Sequence, residues 1–359
     1  MNLTLANTLI NSVNLNGEGP GPAPISPEFI IEVQTFRQGI SNSNQFRFSG
    51  AVGEYDVEAY ENDSLVATFN DLVNEQTITF PSVGTYELRV IPKQAGFNKL
   101  SYSQFNDGPK LSKILDWGLY GVNEPNQIAA FRGLNIEEIP GDGAWFDVVT
   151  SGISMFSSSS LTSLPEDMDF SNLTNGQGMF FSNNLTSLPS GMELPNLTDG
   201  GNMFSSNSLT SLPPGMELPN LTSGISMFSS NSLTSLPPGM ELPLLTNGSN
   251  MFISNNLTSL PSGMKLDNLT SGFAMFRNNS LTSLPSGMKL PNLTNGRFMF
   301  IGSTINTARY SQLLIDLEAN NPNNNVEFNG GTSKYNTQGE IARNALLSRG
   351  WTIVDGGLE

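Results

Sequence analysis

The chain has 359 residues, with 32 acidic and 16 basic side chains, so its formal net charge is −16. We therefore expect no nucleic acid among its partners, because phosphate binding needs a basic face, and no membrane insertion, because no stretch approaches the roughly 20 apolar residues of a membrane helix. The absence of histidine and cysteine removes the Ser-His-Asp triad and thiolate chemistry, which predicts a protein that is not an enzyme, with no catalytic residues and no cofactor.

Residues 1–27 form a polar, Asn-rich arm that ends in a Gly- and Pro-rich tract, residues 17–24. Such a tract favours extended, polyproline-like backbone and is typical of a semi-rigid linker. Apolar residues alternate at Leu3 and Leu5, which suits strand addition to a partner, although a disordered leader fits the composition equally well. The start of the chain lacks the basic region of a secretory signal, so we expect that a signal was removed or that the protein leaves its cell by lysis.

Residues 28–104 contain short runs of β-branched and aromatic residues separated by Gly, Pro, Asn and Asp. This pattern predicts a small β-sandwich. Residues 80–90, Phe-Pro-Ser-Val-Gly-Thr-Tyr-Glu-Leu-Arg-Val, resemble the penultimate turn and last strand of PKD-like, immunoglobulin-type sandwiches, and the resemblance implies that fold for the segment. The predicted strands cover residues 29–36, 45–49, 55–60, 65–69, 77–80 and 86–91.

A 24-residue unit then occurs six times between Leu161 and Thr304, each copy opening Leu-Thr-Ser-Leu-Pro and carrying Met-Phe at its positions 19 and 20. A constant period without insertions predicts a solenoid, whose units bury their apolar sides only against their neighbours. A degenerate unit begins at Ile136. We therefore predict a mainly β, leucine-rich-repeat-like solenoid of about seven coils over residues 136–304, preceded by an N-terminal cap over residues 105–135.

Three features of the unit have predicted structural roles. Gly at position 16 is expected where the backbone takes a positive φ or approaches its neighbour closely. Asn at position 23 is expected to form a ladder in which each side-chain amide satisfies backbone groups of the adjacent coil. The Met-Phe pair is expected in the core, because a column of identical apolar residues is far more often core than ligand site.

Residues 305–359 are predicted to close the array as an α+β cap. Tyr310, Leu313, Leu314 and Leu317 fall at helical spacing, which predicts an amphipathic helix over residues 307–319. A second helix over residues 339–348 and a strand over residues 351–354 should follow. Repeat arrays need such ends to cover the last apolar coil.

Variation between units is concentrated at positions 17, 18 and 21, which flank Met-Phe on the face expected to be exposed. Exposed Phe, Ile and Arg in a Ser- and Asn-rich background are candidate partner contacts, although unconstrained surface drift would produce the same variation. Basic residues also gather in the last two units, so the electrostatic potential of the face is expected to become more positive toward its C-terminal end. The candidate binding residues are Gln177, Phe181, Asn202, Ile225, Asn250, Ile253, Phe273, Arg277, Arg297, Phe298 and Ile301.

In the first unit alone, Glu166, Asp167 and Asp169 replace the Ser-Gly-Met-Glu type corner. Together with acids of the preceding coil, these carboxylates are a weak calcium candidate and a weaker candidate for a glycosidase pair. A water-exposed acidic coil explains the same residues without either, so we expect no metal. The preceding acids are Glu137, Glu138, Asp142 and Asp147.

Residues 207–213, Asn-Ser-Leu-Thr-Ser-Leu-Pro, resemble the leucine-rich-repeat core, and the Met-Phe element resembles the repeats of BspA-like and mycoplasma surface proteins. The resemblance covers residues 136–304 and implies an adhesin or host-interaction protein. The order of leader, PKD-like sandwich, repeats and a cap ending in residues 349–357, Arg-Gly-Trp-Thr-Ile-Val-Asp-Gly-Gly, is also similar to proteins of tailed bacteriophages.

From this layout we predict a non-enzymatic virion protein, a phage fibre or receptor-binding protein on the extracellular particle. Residues 1–27 would bind other virion proteins, and the repeats would display a surface for a host glycan or protein. Fibres are commonly trimeric, so a homotrimer is an expected assembly. Two alternatives stay open: a BspA-like adhesin on the bacterial cell surface, and a polysaccharide-cleaving spike that uses Asp167 or Asp169.

Overall fold

The computed structural model describes residues 28–93, 100, 106–118, 120, 125–141 and 146–359. The arm predicted over residues 1–27, and with it the predicted contact to other virion proteins, lies outside the described residues. No helix of the described chain is long and apolar enough to cross a membrane. In chain order the regular elements are β1 (Phe29–Gln34), β2 (Gln45–Arg47), β3 (Glu54–Glu61), β4 (Ser64–Val73), β5 (Thr77–Thr79), β6 (Thr85–Pro92), a 3-10 helix (Gly108–Lys110), β7 (Leu111–Asp116), a second 3-10 helix (Phe146–Val148), β8 (Asn295–Gly296), α1 (Thr307–Asn320), β9 (Glu327–Asn329), α2 (Thr337–Ser348) and β10 (Thr352–Val354).

An antiparallel sheet of five strands, in the order β4-β3-β6-β1-β7, forms the N-terminal part. Along β1 the side chains of Phe29, Ile31 and Val33 are buried and alternate with half-exposed residues, as the two-residue period of a strand requires. The six strands predicted here are confirmed as β1 to β6. Instead of two comparable sheets of a PKD-like sandwich, however, the segment has this sheet and a single strand pair, β2 with β5.

An aromatic cluster joins the sheet to the first repeats. The Trp117 ring stacks on Phe29 of β1 with a centroid distance of 6.2 Å and meets Phe131 edge-on at 5.6 Å. Its indole N–H donates to the backbone oxygen of Pro140 at 2.8 Å. β7, which ends one residue before Trp117, pairs with β1, so the segment predicted as a cap is tied to both parts.

The fold class predicted for the repeats, a leucine-rich-repeat-like solenoid of about seven coils, is wrong in its secondary structure, because the described units lack the continuous strands of that fold. The only strand within the six described units is the two-residue β8, and every other strand lies outside them. Consecutive units meet through single parallel bridges, such as Asn175 with Asp199, and the remaining backbone consists of turns, bends and irregular stretches. The physical reason is left-handed backbone at positions 18 and 22, as at Asn202 (φ 56°) and Ser206 (φ 58°), because a residue with positive φ ends an extended run.

The units nevertheless lie against one another in register, and we call residues 126–304 the repeat stack. Backbone N–H groups donate to carbonyls one unit later, as from Gly178 to Gly201 at 2.7 Å and from Phe180 to Met203 at 2.9 Å. The position-20 rings form a buried column from Phe156 to Phe300 with centroids 5.6–5.7 Å apart. The predicted core role of the Met-Phe pair is confirmed.

The invariant glycine of position 16 and the asparagine of position 23 have distinct roles in the repeat stack. A Cβ on Gly200 would lie 2.7 Å from the sulfur of Met227 in the next unit, so this glycine is required by close approach, while the positive φ lies two residues later. Asn231 donates to Phe204 O at 2.9 Å and accepts from the Leu209 N–H at 3.0 Å. The side-chain ladder predicted at position 23 is therefore confirmed.

The C-terminal cap continues the last unit through three short parallel strands, β8, β9 and β10. Phe328 of β9 meets the end of the ring column, Phe300, edge-on at 6.2 Å. Asn321 donates to the backbone oxygens of Leu290 and Leu293, both at 2.9 Å. The two predicted helices and the final strand are present as α1, α2 and β10.

Candidate binding face

Positions 17, 18 and 21 form three parallel columns along one side of the repeat stack, which we call the variable face. Their backbone is the same in every unit, because position 18 is left-handed throughout, from Gly178 (φ 59°) to Phe298 (φ 63°). The N–H of position 18 bonds to the oxygen of position 17 in the next unit, as from Asn202 to Ile225 at 2.8 Å. Side chains at these positions therefore change while the backbone that carries them does not.

A groove of about 470 Å³ crosses the N-terminal half of the variable face. Four of the predicted residues, Gln177, Phe181, Asn202 and Ile225, line it together. The phenyl ring of Phe181 is 36% exposed and the side chain of Ile225 is 37% exposed. The groove therefore combines accessible apolar surface with side-chain amides.

Two charged residues that the sequence reasoning missed also line this groove, Arg132 and Asp199. The Asp199 carboxylate accepts from the Gln177 side-chain amide at 2.6 Å and from the Gly201 backbone N–H at 2.9 Å, so both side chains are held in place. Arg132 follows Phe131, whose backbone N–H donates to Met155 O at 2.9 Å. In later units the same bond runs from position 20 to position 19 of the next unit, so Phe131 occupies position 20. Extending the repeat register backwards would have placed Arg132 at position 21 of a preceding unit.

The C-terminal end of the variable face carries a second cluster of predicted residues. Phe298 meets Phe273 edge-on with a centroid distance of 5.5 Å. The guanidinium of Arg297 lies 4.5 Å from the centre of the Phe298 ring, and that of Arg277 lies 5.6 Å from it. Arg297 also pairs with Glu327 of β9 at 3.4 Å. We call Phe273, Arg277, Arg297 and Phe298 the arginine–phenylalanine patch.

The other three predicted residues do not line the groove. Asn250 and Ile253 belong to the unit between the groove and the patch, and both are half-buried. Ile253 and Ile301 occupy the same column as Arg277, because the Ser254 N–H donates to Arg277 O at 2.9 Å and the Asn278 N–H donates to Ile301 O at 2.7 Å. The structure therefore gathers eight of the eleven predicted residues into two clusters on one face.

The acidic residues of the first unit have separate hydrogen-bonding partners. The Glu166 carboxylate accepts from the backbone N–H and hydroxyl of Ser190 at 2.9 and 3.0 Å, and Asp169 accepts from the Ser171 N–H at 2.6 Å. Burial, and secondly the charge of Asp169, raise the pKa of Asp147. Among the described residues, which do not include 142–145, no group of three or more acidic side chains could hold a metal ion.

Comparison with known proteins adds no family assignment. Neither a protein-family model nor a curated protein matches this chain.

Proposed function

We propose that the chain is a non-enzymatic host-recognition protein carried on a virion, a phage fibre or receptor-binding protein, that binds a host-surface glycan through the groove of the variable face. The observation that carries this proposal is the convergence of Gln177, Phe181, Asn202 and Ile225 on one groove. These residues vary from unit to unit, whereas the backbone that holds them is constant.

The groove has the chemistry that sugars require. A sugar ring presents an apolar C–H face, for which the accessible ring of Phe181 offers a flat apolar partner. Its hydroxyls need donors and acceptors together, and amide side chains supply both while the Asp199 carboxylate accepts. The volume of about 470 Å³ lies within the range of about 300–1,000 Å³ that is usual for ligand sites.

Placement on a virion is supported by the sequence layout, in which residues 1–27 precede the sheet as a polar arm with a Gly- and Pro-rich end. In this proposal the arm binds other virion proteins, and the sheet separates it from the variable face. A cell-surface adhesin would use the same face but would fractionate with the bacterial envelope. The two are distinguished by testing whether removal of residues 1–27 abolishes binding to particle components.

Binding to host cells and to an array of host glycans tests the groove. Phe181→Ser and Asp199→Ala should each reduce binding while the melting temperature changes little, because both side chains are partly accessible and lie outside the ring column. Phe36→Ser is the matched control, since Phe36 is 60% exposed and lies beyond β1, off the variable face. Unchanged binding by both groove variants would overturn the proposed role of the groove.

A further inference from the structure

The arginine–phenylalanine patch differs from the rest of the variable face in its charge. The chain has twice as many acidic as basic side chains, and four of the other eight described arginines pair with acids, as Arg47 does with Glu75 and Arg89 with Glu87. Arg277 makes no ion pair with any described residue, and its Nε is buried without a hydrogen-bond acceptor. The residues above and below it in its column are Ile253 and Ile301, so neither neighbour can neutralise it.

Phe298 breaks the local residue preference of its position. Position 18 is left-handed in every unit and is otherwise occupied by Gly, Asn, Ser or Ala, residues that are small or tolerate this backbone. A bulky aromatic side chain with φ of 63° is a strained exception, and such exceptions gather at functional sites. The Phe298 ring is only half-buried, so core packing does not account for it.

The two observations meet in one place, because the Phe298 ring lies 5.6 Å from the Arg277 guanidinium. The ring supports the face of the guanidinium while leaving its charge without a counterion, an arrangement that favours an anionic ligand. Arg297 contributes a second positive charge, although Glu327 already pairs with it at 3.4 Å. Arg277 is therefore the principal charged group of the patch.

We propose that the arginine–phenylalanine patch binds the carboxylate of an acidic sugar unit, as a second subsite of the variable face. The planar fork of Arg277 matches a carboxylate through two parallel hydrogen bonds, and the partly exposed rings of Phe273 and Phe298 offer an apolar surface to the sugar ring. This inference rests on the proposed function in one respect, that the variable face binds glycans.

Calorimetric titration of the full chain tests the subsite with two carboxylated probes, oligogalacturonate and sialyllactose. The matched neutral probe is methyl-esterified oligogalacturonate, which keeps the rings and removes the charge. A sulfated oligosaccharide that has no carboxylate separates carboxylate recognition from general anion binding. We expect at least one carboxylated probe to bind at least tenfold more tightly than the neutral and sulfated probes, and to weaken as salt is added.

Arg277→Gln should reduce that affinity by about tenfold to a hundredfold, the loss expected for hydrogen bonds to a charged group. Arg277→Lys, which keeps the charge and loses the fork, should fall between wild type and Arg277→Gln. Arg309→Gln is the matched control, because Arg309 is exposed on α1, away from the variable face. Its substitution removes the same charge as Arg277→Gln. Melting temperatures verify that each variant is folded.

Three results would overturn the subsite: neither carboxylated probe binds, the neutral or sulfated probe binds as tightly, or Arg277→Gln binds like wild type. If Phe181→Ser still abolishes host-cell binding in that case, the proposed function stands and only the subsite fails. If neither the groove variants nor Arg277→Gln changes binding to cells or glycans, both proposals fail.

Discussion

Replacing Asn255 by alanine tests the asparagine ladder that joins consecutive units. The Asn255 side chain is 5% exposed, and its oxygen accepts from the Leu233 backbone N–H at 3.0 Å. Its amide donates to Phe228 O at 2.9 Å and to Phe252 O at 3.1 Å. Both carbonyls also accept from the neighbouring ladder amides, so the substitution leaves only the Leu233 N–H without any partner.

The expected loss of stability has two parts, the unpaired Leu233 N–H and the two lost bonds to carbonyls. A buried N–H without an acceptor costs about 1–3 kcal/mol, and each lost bond to a carbonyl that keeps another donor adds about 0.5–1.5 kcal/mol. We therefore expect Asn255→Ala to lower the free energy of unfolding by about 2–6 kcal/mol. Asn255→Asp should be worse at pH 7, because a carboxylate cannot donate and would face the Phe228 and Phe252 carbonyls.

Urea denaturation followed by circular dichroism measures these changes, and native-state hydrogen exchange reports on the Leu233 amide itself. Asn256→Ala is the matched control: the next residue in the chain has an exposed side chain, so its loss should stay within about 0.5 kcal/mol. Equal unfolding midpoints for the two alanine variants, or an Asn255→Asp variant as stable as wild type, would refute the argument that the buried amides hold the units together.

Other consequences of the packing can be tested by thermal melts. Gly200→Ala should lower the free energy of unfolding by about 1–3 kcal/mol, because its Cβ would lie 2.7 Å from the Met227 sulfur. Gly191→Ala, with no atom within 4 Å of the new Cβ, should melt like wild type. Equal losses of stability in the two variants would contradict the close-approach explanation. Burial, and secondly the nearby Asp355 carboxylate, raise the pKa of Tyr310 well above 10. Only the unfolded state then releases this proton near pH 10, so the free energy of unfolding should fall as pH rises past that value. The fall should be shallower in Tyr310→Phe, and a fall as steep as that of wild type would contradict this explanation. Asp355→Asn should lower the free energy of unfolding by about 3–5 kcal/mol, because the partly buried Arg343 guanidinium, which lies 2.8 Å from the Asp355 carboxylate, would lose its counterion. A loss under about 1 kcal/mol would show that the ion pair is dispensable.

Elements with local signals were predictable from the sequence. Alternating β-branched and aromatic residues located β1 to β6, and the helical spacing of Tyr310 and Leu313 located α1 to within one residue of its end. β7 was missed as a member of the sheet, because its pairing with β1 joins segments some 80 residues apart and leaves no local pattern, as in Glu32 with Lys113.

The error about the repeats came from using the period without the turn chemistry. Positions 18 and 22 are mostly Ser, Asn and Gly, the residues that most readily accept left-handed backbone. Read together with the period, they indicate a unit of consecutive turns in place of a strand.

The candidate binding residues were predictable as columns but not as clusters. Comparing units separated constant from variable positions, and constant backbone geometry then placed Gln177 beside Phe181 in one groove. Arg132 escaped detection because its unit has lost the Leu-Thr-Ser-Leu-Pro opening. The contact of Arg277 with Phe298 depends on side-chain conformation, which the order of residues does not encode locally.

The uniformity of the unit has a consequence for how this protein can change in length. Each unit offers its neighbours the same donors, acceptors and ring face, so inserting or deleting one whole 24-residue unit keeps every column continuous. Duplication or loss of units would therefore alter the spacing between the groove and the arginine–phenylalanine patch in equal steps, while leaving the residues of both sites untouched. If both sites bind a host surface as proposed, copy number would set the distance between the two contact points, a property that changes in one recombination event and requires no substitution.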